Sequence, residues 1–180
     1  MIAGTFTRHM VAHMTLVAVV APLVAVMLVR TGIDPVQWRP RWFSAITASL
    51  IEFVVIWMWH LPALHIAARN DSGVLVLEQV SFFGASIYLW LSILGGDRAA
   101  SPMRAGIGVI ALVLTFAHMT MLGAVLALTS RELYAHEPGA LADQQLGGAV
   151  MIASGAVAYL GAALWLSRSL LSARPQGWRS

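Results

Sequence analysis

Runs of about twenty apolar residues, separated by short polar breaks, constrain this chain more than any other feature. Five can be marked, over residues 10–29, 43–61, 74–94, 105–129 and 146–167. A helix of that length crosses a hydrocarbon layer of roughly 30 Å, and in lipid a single segment satisfies its own backbone N–H and C=O groups only as a helix. The chain therefore reads as an all-α polytopic bundle of about five transmembrane spans. The breaks carry turn chemistry: Thr31-Gly32-Ile33-Asp34-Pro35, Pro62, Asp71-Ser72-Gly73, Gly95-Gly96-Asp97 and Glu137-Pro138-Gly139. Composition agrees, with 59% apolar and only 11% charged residues, whereas a soluble domain carries roughly 25% charge and a disordered chain lacks this apolar content. With five spans placed in 180 residues, no length remains for a separate soluble domain, so 1–180 is read as a single membrane domain.

Every basic residue is Arg and none is Lys, which fixes the expected orientation. If the five spans alternate, Arg30, Arg39, Arg41, Arg98, Arg104, Arg168, Arg174 and Arg179 share one side and only Arg8, Arg69 and Arg131 the other. Positive charge collects on the cytoplasmic side, so the N-terminus is expected outside and the C-terminus inside. Arg8 ahead of an apolar run resembles a signal peptide, but no small-x-small cleavage site follows, and the first segment is read as a retained span. The arginines flank spans, a placement suited to lipid headgroups and not to a nucleic-acid surface, and no nucleic-acid partner is expected. With no cysteine in the chain, thiolate metal sites, iron–sulfur clusters and disulfides are excluded. The dinucleotide-like run at Gly106, Gly108 and Ala111 lies inside a span and carries no meaning there.

Depth then sorts the histidines. His9 and His13, His60 and His65, His118 and His136 all fall in the outer half, although His136, beside Glu137 in a loop, reads as a solvated side chain. Methionines Met10, Met14, Met58, Met119, Met121 and Met151 share that half, while Met27 and Met103 do not. In His9-Met10-Val11-Ala12-His13-Met14 the histidines lie i, i+4 on one helix face, with the methionines in a stripe about 100° away. His118 and Met121, three apart, are placed to face them from the fourth span. Imidazole with thioether suits copper, and thioether favours Cu(I); the oxygen cage wanted by calcium or magnesium is missing. Candidate metal ligands are thus His9, Met10, His13, Met14, His60, His118 and Met121. A histidine deep in lipid needs a partner, and a neighbouring hydrogen-bond acceptor would serve His13 or His118 as well as a metal or a haem iron.

Carboxylates within spans are rarer. Glu52, Glu78 and Asp143 should face the interior, since a lipid-facing carboxylate costs about 3 kcal/mol. Glu78 is the candidate to orient a ligand histidine from outside the ligand shell, with Asp143 and Gln144 as further supports; Asp143 also fits a helix N-cap. Trp57 and Trp59 before Pro62 read as an interfacial belt, and Gly147, Gly148 and Gly155 as a close-packing face.

These residues resemble a family. The ordered set is His9-Met10 through His13-Met14 with Ala21-Pro22-Leu23, Trp59-His60-Leu61-Pro62-Ala63, Leu122-Gly123 through Leu133-Tyr134, and Asp143-Gln144-Gln145-Leu146-Gly147-Gly148 with Met151. It is similar to the CtaG-type cytochrome c oxidase assembly factors, in a shortened form. The resemblance places His9, His13, His60 and the Asp143-Gln144 pair on the family's pattern. Leu75 and Gln79 flank Glu78 where many members carry histidines. The resemblance implies a multi-pass protein of the bacterial inner (cytoplasmic) membrane that binds or helps deliver copper at its periplasmic face while a haem-copper oxidase matures. Its partners would be membrane lipid, oxidase subunits and a periplasmic copper donor, with no turnover chemistry. Two alternatives stand beside it: a membrane electron-transfer subunit holding haem b between histidines such as His13 and His60 or His118, and a structural accessory subunit of a respiratory complex.

Overall fold

The computed structural model describes residues 4–96, 102–134 and 139–172; His136 and Glu137 lie outside them. Among the described residues the chain is helical throughout, without strands. Helix α1 covers Thr5–Arg30. The second apolar run forms α2, Ala45–Trp59, and continues after a 72° bend as α3, Pro62–Asn70. Then come α4, Ser72–Leu94, α5, Pro102–Leu128, and α6, Ala140–Arg168. Four helices are long and apolar enough to cross a membrane alone, and the bent pair makes a fifth candidate.

Local chemistry sets these boundaries. Ser44 caps α2 by accepting the Thr47 N–H at 3.3 Å, and Asp71 caps α4 by accepting from Gly73 and Val74 at 2.7 and 3.1 Å. Pro62 cannot continue α2 but fits the first turn of a new helix, so the chain turns between Trp59 and Pro62. The N-terminus of α1 has no cap from its own segment. Its Phe6 and Thr7 N–H groups donate instead to the Asp143 carboxylate of α6, at 2.8 and 3.2 Å. At the opposite end, buried Asp34 accepts from Val36 and Gly96, at 3.0 and 2.6 Å, tying the loop after α1 to the end of α4.

The helices close into a ring in the order α1, α6, α5, α2, α4. The tightest crossing joins α5 to α6. A side chain at Gly148 would strike the Gly123 carbonyl and the Ala127 amide, so small residues here allow backbone contact. Gly147 is covered by Phe6 and Met10 of α1 in the same way. Large apolar residues such as Leu23, Val54, Val76, Ile110 and Val157 remain exposed around the outside, as a lipid-facing surface requires.

Two helices carry a π turn, α1 at Leu16–Val20 and α6 at Ala156–Leu160. A π turn loosens the regular backbone ladder, and the Val17 carbonyl accepts the indole N–H of Trp90 at 3.1 Å. Trp90 in turn stacks on Tyr159 from the second π turn, with centroids 5.6 Å apart. Beside them lies a hydroxyl-rich knot: Glu52 Oε1 accepts from Ser86 at 2.5 Å and from Tyr159 at 3.3 Å, and Ser49 bonds Thr115 at 2.9 Å. The Glu52 side chain thereby links α2 to α4 and α6.

Candidate metal centre

At the end of the bundle where α1 begins, the interior changes from hydroxyl to imidazole. His9 and His13 lie one turn apart on the buried face of α1. The bend between α2 and α3 delivers His60, and the first turns of α3 deliver His65; Glu78 enters from α4. All five are buried, His13 and Glu78 completely.

The rings form a continuous chain. His65 meets His9 edge-on at 5.0 Å between centroids, His9 runs parallel to His13 at 6.5 Å, and His13 meets His60 at 5.7 Å. Glu78 Oε1 lies 3.7 Å from His9 Nε2. The ligand atoms of His9, His65 and Glu78 all fall within 4.8 Å of one another. Three donors bonded to one ion at about 2.0–2.3 Å sit about 3.3–4.0 Å apart, so the widest separation in the trio has to close by roughly 1 Å to hold an ion between them.

What distinguishes this cluster is that its polar atoms are unspent. His9 Nε2, both nitrogens of His13, His60 Nε2, His65 Nδ1 and Glu78 Oε1 are buried and lack a hydrogen-bond partner. Buried polar groups in folded proteins are almost always paired, and six orphans in one place mark unmet bonding capacity; of the two His13 nitrogens, one carries the N–H and the other the lone pair. His60 is prepared for a ligand. Its Nδ1 lies 2.7 Å from the Ile56 carbonyl, which can only accept, so Nδ1 carries the proton and Nε2 presents a lone pair. Tyr134 closes the wall, donating to the His60 carbonyl at 2.8 Å and packing its ring on Phe6 and His65. Burial raises the Tyr134 phenol above its ordinary pKa, so it remains a donor.

Imidazole nitrogen with one carboxylate oxygen is a borderline donor set that suits copper, zinc or iron. It fits an ion carried as cargo as well as one held permanently.

Of the residues singled out from sequence, His9, His13 and His60 come together here. The thioethers do not join them. Met10 is fully buried against α6 at Gly147, and Met14 lies along the same helix beside Val150 and Ser154; the 100° offset from the histidines points them at a different neighbour. His118 is buried with both nitrogens unpaired, but its ring packs edge-on against Phe53, and among the described residues it meets no other histidine ring. Met121 is 51% exposed on the outside of α5. Asp143 is occupied in capping α1, and its backbone carbonyl also accepts from the Thr7 hydroxyl. Gln144 grips the Arg131–Leu133 turn, accepting from Leu133 N–H at 2.9 Å and donating to the Arg131 carbonyl at 3.2 Å. Both therefore support the cluster through the backbone and Tyr134, not through a ligand histidine. Glu78 lies beside His9 and groups with it and His65. His65, placed at the right depth by sequence but not selected, is the addition; Pro62, by folding the chain back into a second helix, was the signal that could have found it.

A cavity of about 470 Å³ opens beside His65, with Arg8, Arg69, Tyr134 and Asp143 in its walls. His65 is thus the cluster residue that borders this cavity.

A ring of apolar helices around a buried imidazole–carboxylate cluster describes a multi-pass membrane protein with a candidate metal centre. The chain belongs to the cytochrome c oxidase caa3 assembly factor family (Caa3_CtaG), whose sequence pattern matches residues 2–173. No curated protein matches it. No solved structure matches it either.

Proposed function

We propose that this protein binds copper in the His9, His65 and Glu78 cluster, with His13 and His60 as adjoining donors, and holds it for delivery to a haem-copper oxidase under assembly. The observation that carries the reading is the set of six buried polar atoms without partners, on five residues brought together from α1, α3, α4 and the α2–α3 bend. Family membership supplies the setting, an oxidase assembly role. Imidazole donors accommodate copper, and the cavity beside His65 permits exchange instead of permanent burial. In this reading the protein lies in the bacterial cytoplasmic membrane with the cluster on the periplasmic side, the orientation that arginine distribution favours. It carries an ion and performs no turnover chemistry.

The test is metal content and visible spectrum measured on one purified sample, before and after Cu(I) loading, together with oxidase activity in cells carrying the variants. Near-stoichiometric copper that falls with His65→Phe, accompanied by loss of assembled oxidase, is expected. A Soret band with bound iron, or no copper after loading, would overturn the reading.

A further inference from the structure

The mouth of this cation site carries positive charge. Arg8 on α1 and Arg69 on α3 line the cavity beside His65, and both are exposed. Two long helices begin at the cavity, α1 through Gly4 to Phe6 and α6 through Gly139 and Ala140, and helix N-termini present partial positive charge. Asp143 is the carboxylate in the lining, and it is already accepting the Phe6 and Thr7 N–H groups. A bare cation entering this cavity is repelled where it should be gathered, because such fields alter encounter rates by roughly 10- to 1,000-fold. An anion is attracted, and arginine pairs with carboxylate in a directed, two-bond geometry.

We propose that copper reaches the cluster as an anionic complex whose donor presents carboxylates to Arg8 and Arg69 while the ion passes to His65. His65 belongs both to the cavity wall and to the ligand trio, so it is the first acceptor. Ligand exchange here moves no electrons. The ion leaves a donor ligand, binds the His65 imidazole, and the vacated carboxylate-bearing donor departs from the arginines. The inference rests on the copper reading and names the chemical class of its donor.

Transfer kinetics to the purified protein in a neutral detergent provide the test. One donor is the Cu(I) complex of bicinchoninate, an anionic, carboxylate-bearing chelate whose colour is lost on transfer; the other is the cationic acetonitrile complex of Cu(I). With Arg8→Gln and Arg69→Gln combined, the rate from bicinchoninate is expected to fall at least about 10-fold, and the rate from the acetonitrile complex to hold or rise. Raising salt from about 20 to about 500 mM should shrink the difference by screening. The Arg8→Lys, Arg69→Lys protein keeps the charge and is expected to keep most of the rate, which separates charge from folding damage.

A methionine-bearing peptide loaded with Cu(I), made with Glu or with Gln flanks, distinguishes the source. A faster Glu form assigns the carboxylates to a carrier protein, and a response to the chelate alone assigns them to a small complex. Stoichiometric loading at rates equal in wild type and the Gln variant would overturn this inference while leaving the copper reading intact. Equal rates together with loss of co-purified anionic lipid from the variant would reassign the arginines to a headgroup. No loading from either donor would overturn the copper reading itself.

Discussion

Two polar clusters occupy the interior of one helical ring, and they are finished differently. Around Glu52, hydroxyls from Ser86 and Tyr159 converge on one carboxylate oxygen while Ser49 and Thr115 satisfy each other, leaving a single orphan, Glu52 Oε2. At the α1 end, His9, His13, His60, His65 and Glu78 leave six buried polar atoms without partners. Both clusters incur the cost of removing polar groups from water. The first recovers most of it through bonds that join α2 to α4 and α6, whereas the second holds its lone pairs in reserve beside an open cavity. The two clusters therefore differ not in burial but in how many unmet polar atoms lie together.

The strongest way to break that contrast is to remove the reserve. Replacing His9 and His65 together by Phe, which retains ring packing, should lower copper affinity at least about 100-fold, close to 3 kcal/mol, in a competition titration against a chelator. Retained affinity would move the ion elsewhere in the bundle. Next in size is Glu52→Ala, which strands the Ser86 and Tyr159 hydroxyls in the interior. A loss of about 2 kcal/mol is expected in reversible unfolding from mixed micelles, with copper affinity unchanged; a fall in affinity would mean that the two clusters act as one.

Asp143→Ala should cost about 1 kcal/mol, the usual worth of an N-cap. Because the cap holds the turn that carries His9, a several-fold weakening of copper binding should accompany it, readable in the same titration. Smallest is Met121→Leu on the exposed side of α5, expected to change stability by less than about 0.5 kcal/mol and copper affinity not at all. A measurable drop in affinity would restore the thioether to the ligand set.

Apolar run length made the helices legible, because lipid thickness leaves few alternatives. The ends were less so. Thr5 to His9 are polar enough to suggest a flank, yet they are helical, since Asp143 supplies from α6 the acceptor their own segment lacks. Similarly, Leu16–Val20 gives no sequence sign of a π turn; the carbonyl bonded by Trp90 depends on a helix some seventy residues away.

That His9, His60 and His65 share one end of the bundle was legible, and azimuth only in part. The i, i+4 spacing put His9 and His13 on one face, but nothing in the local pattern said that the neighbouring Met10 and Met14 stripe would turn onto α6. Nor did it say that His118, at a similar end of α5, would pack on Phe53. Those outcomes depend on the order of helices around the ring, which is a tertiary property.

The cap on α1 also imposes a timetable. Thr7 and its acceptor Asp143 are separated by 136 positions in the chain, a stretch that takes on the order of ten seconds to synthesise at ribosomal speed. Until α6 has been made and inserted, the first turn of α1 lacks its carboxylate, and Tyr134 lacks the turn that Gln144 secures. The first turn of α1, beside His9, and the turn that carries Tyr134 thus reach their final form only after α6 is in place.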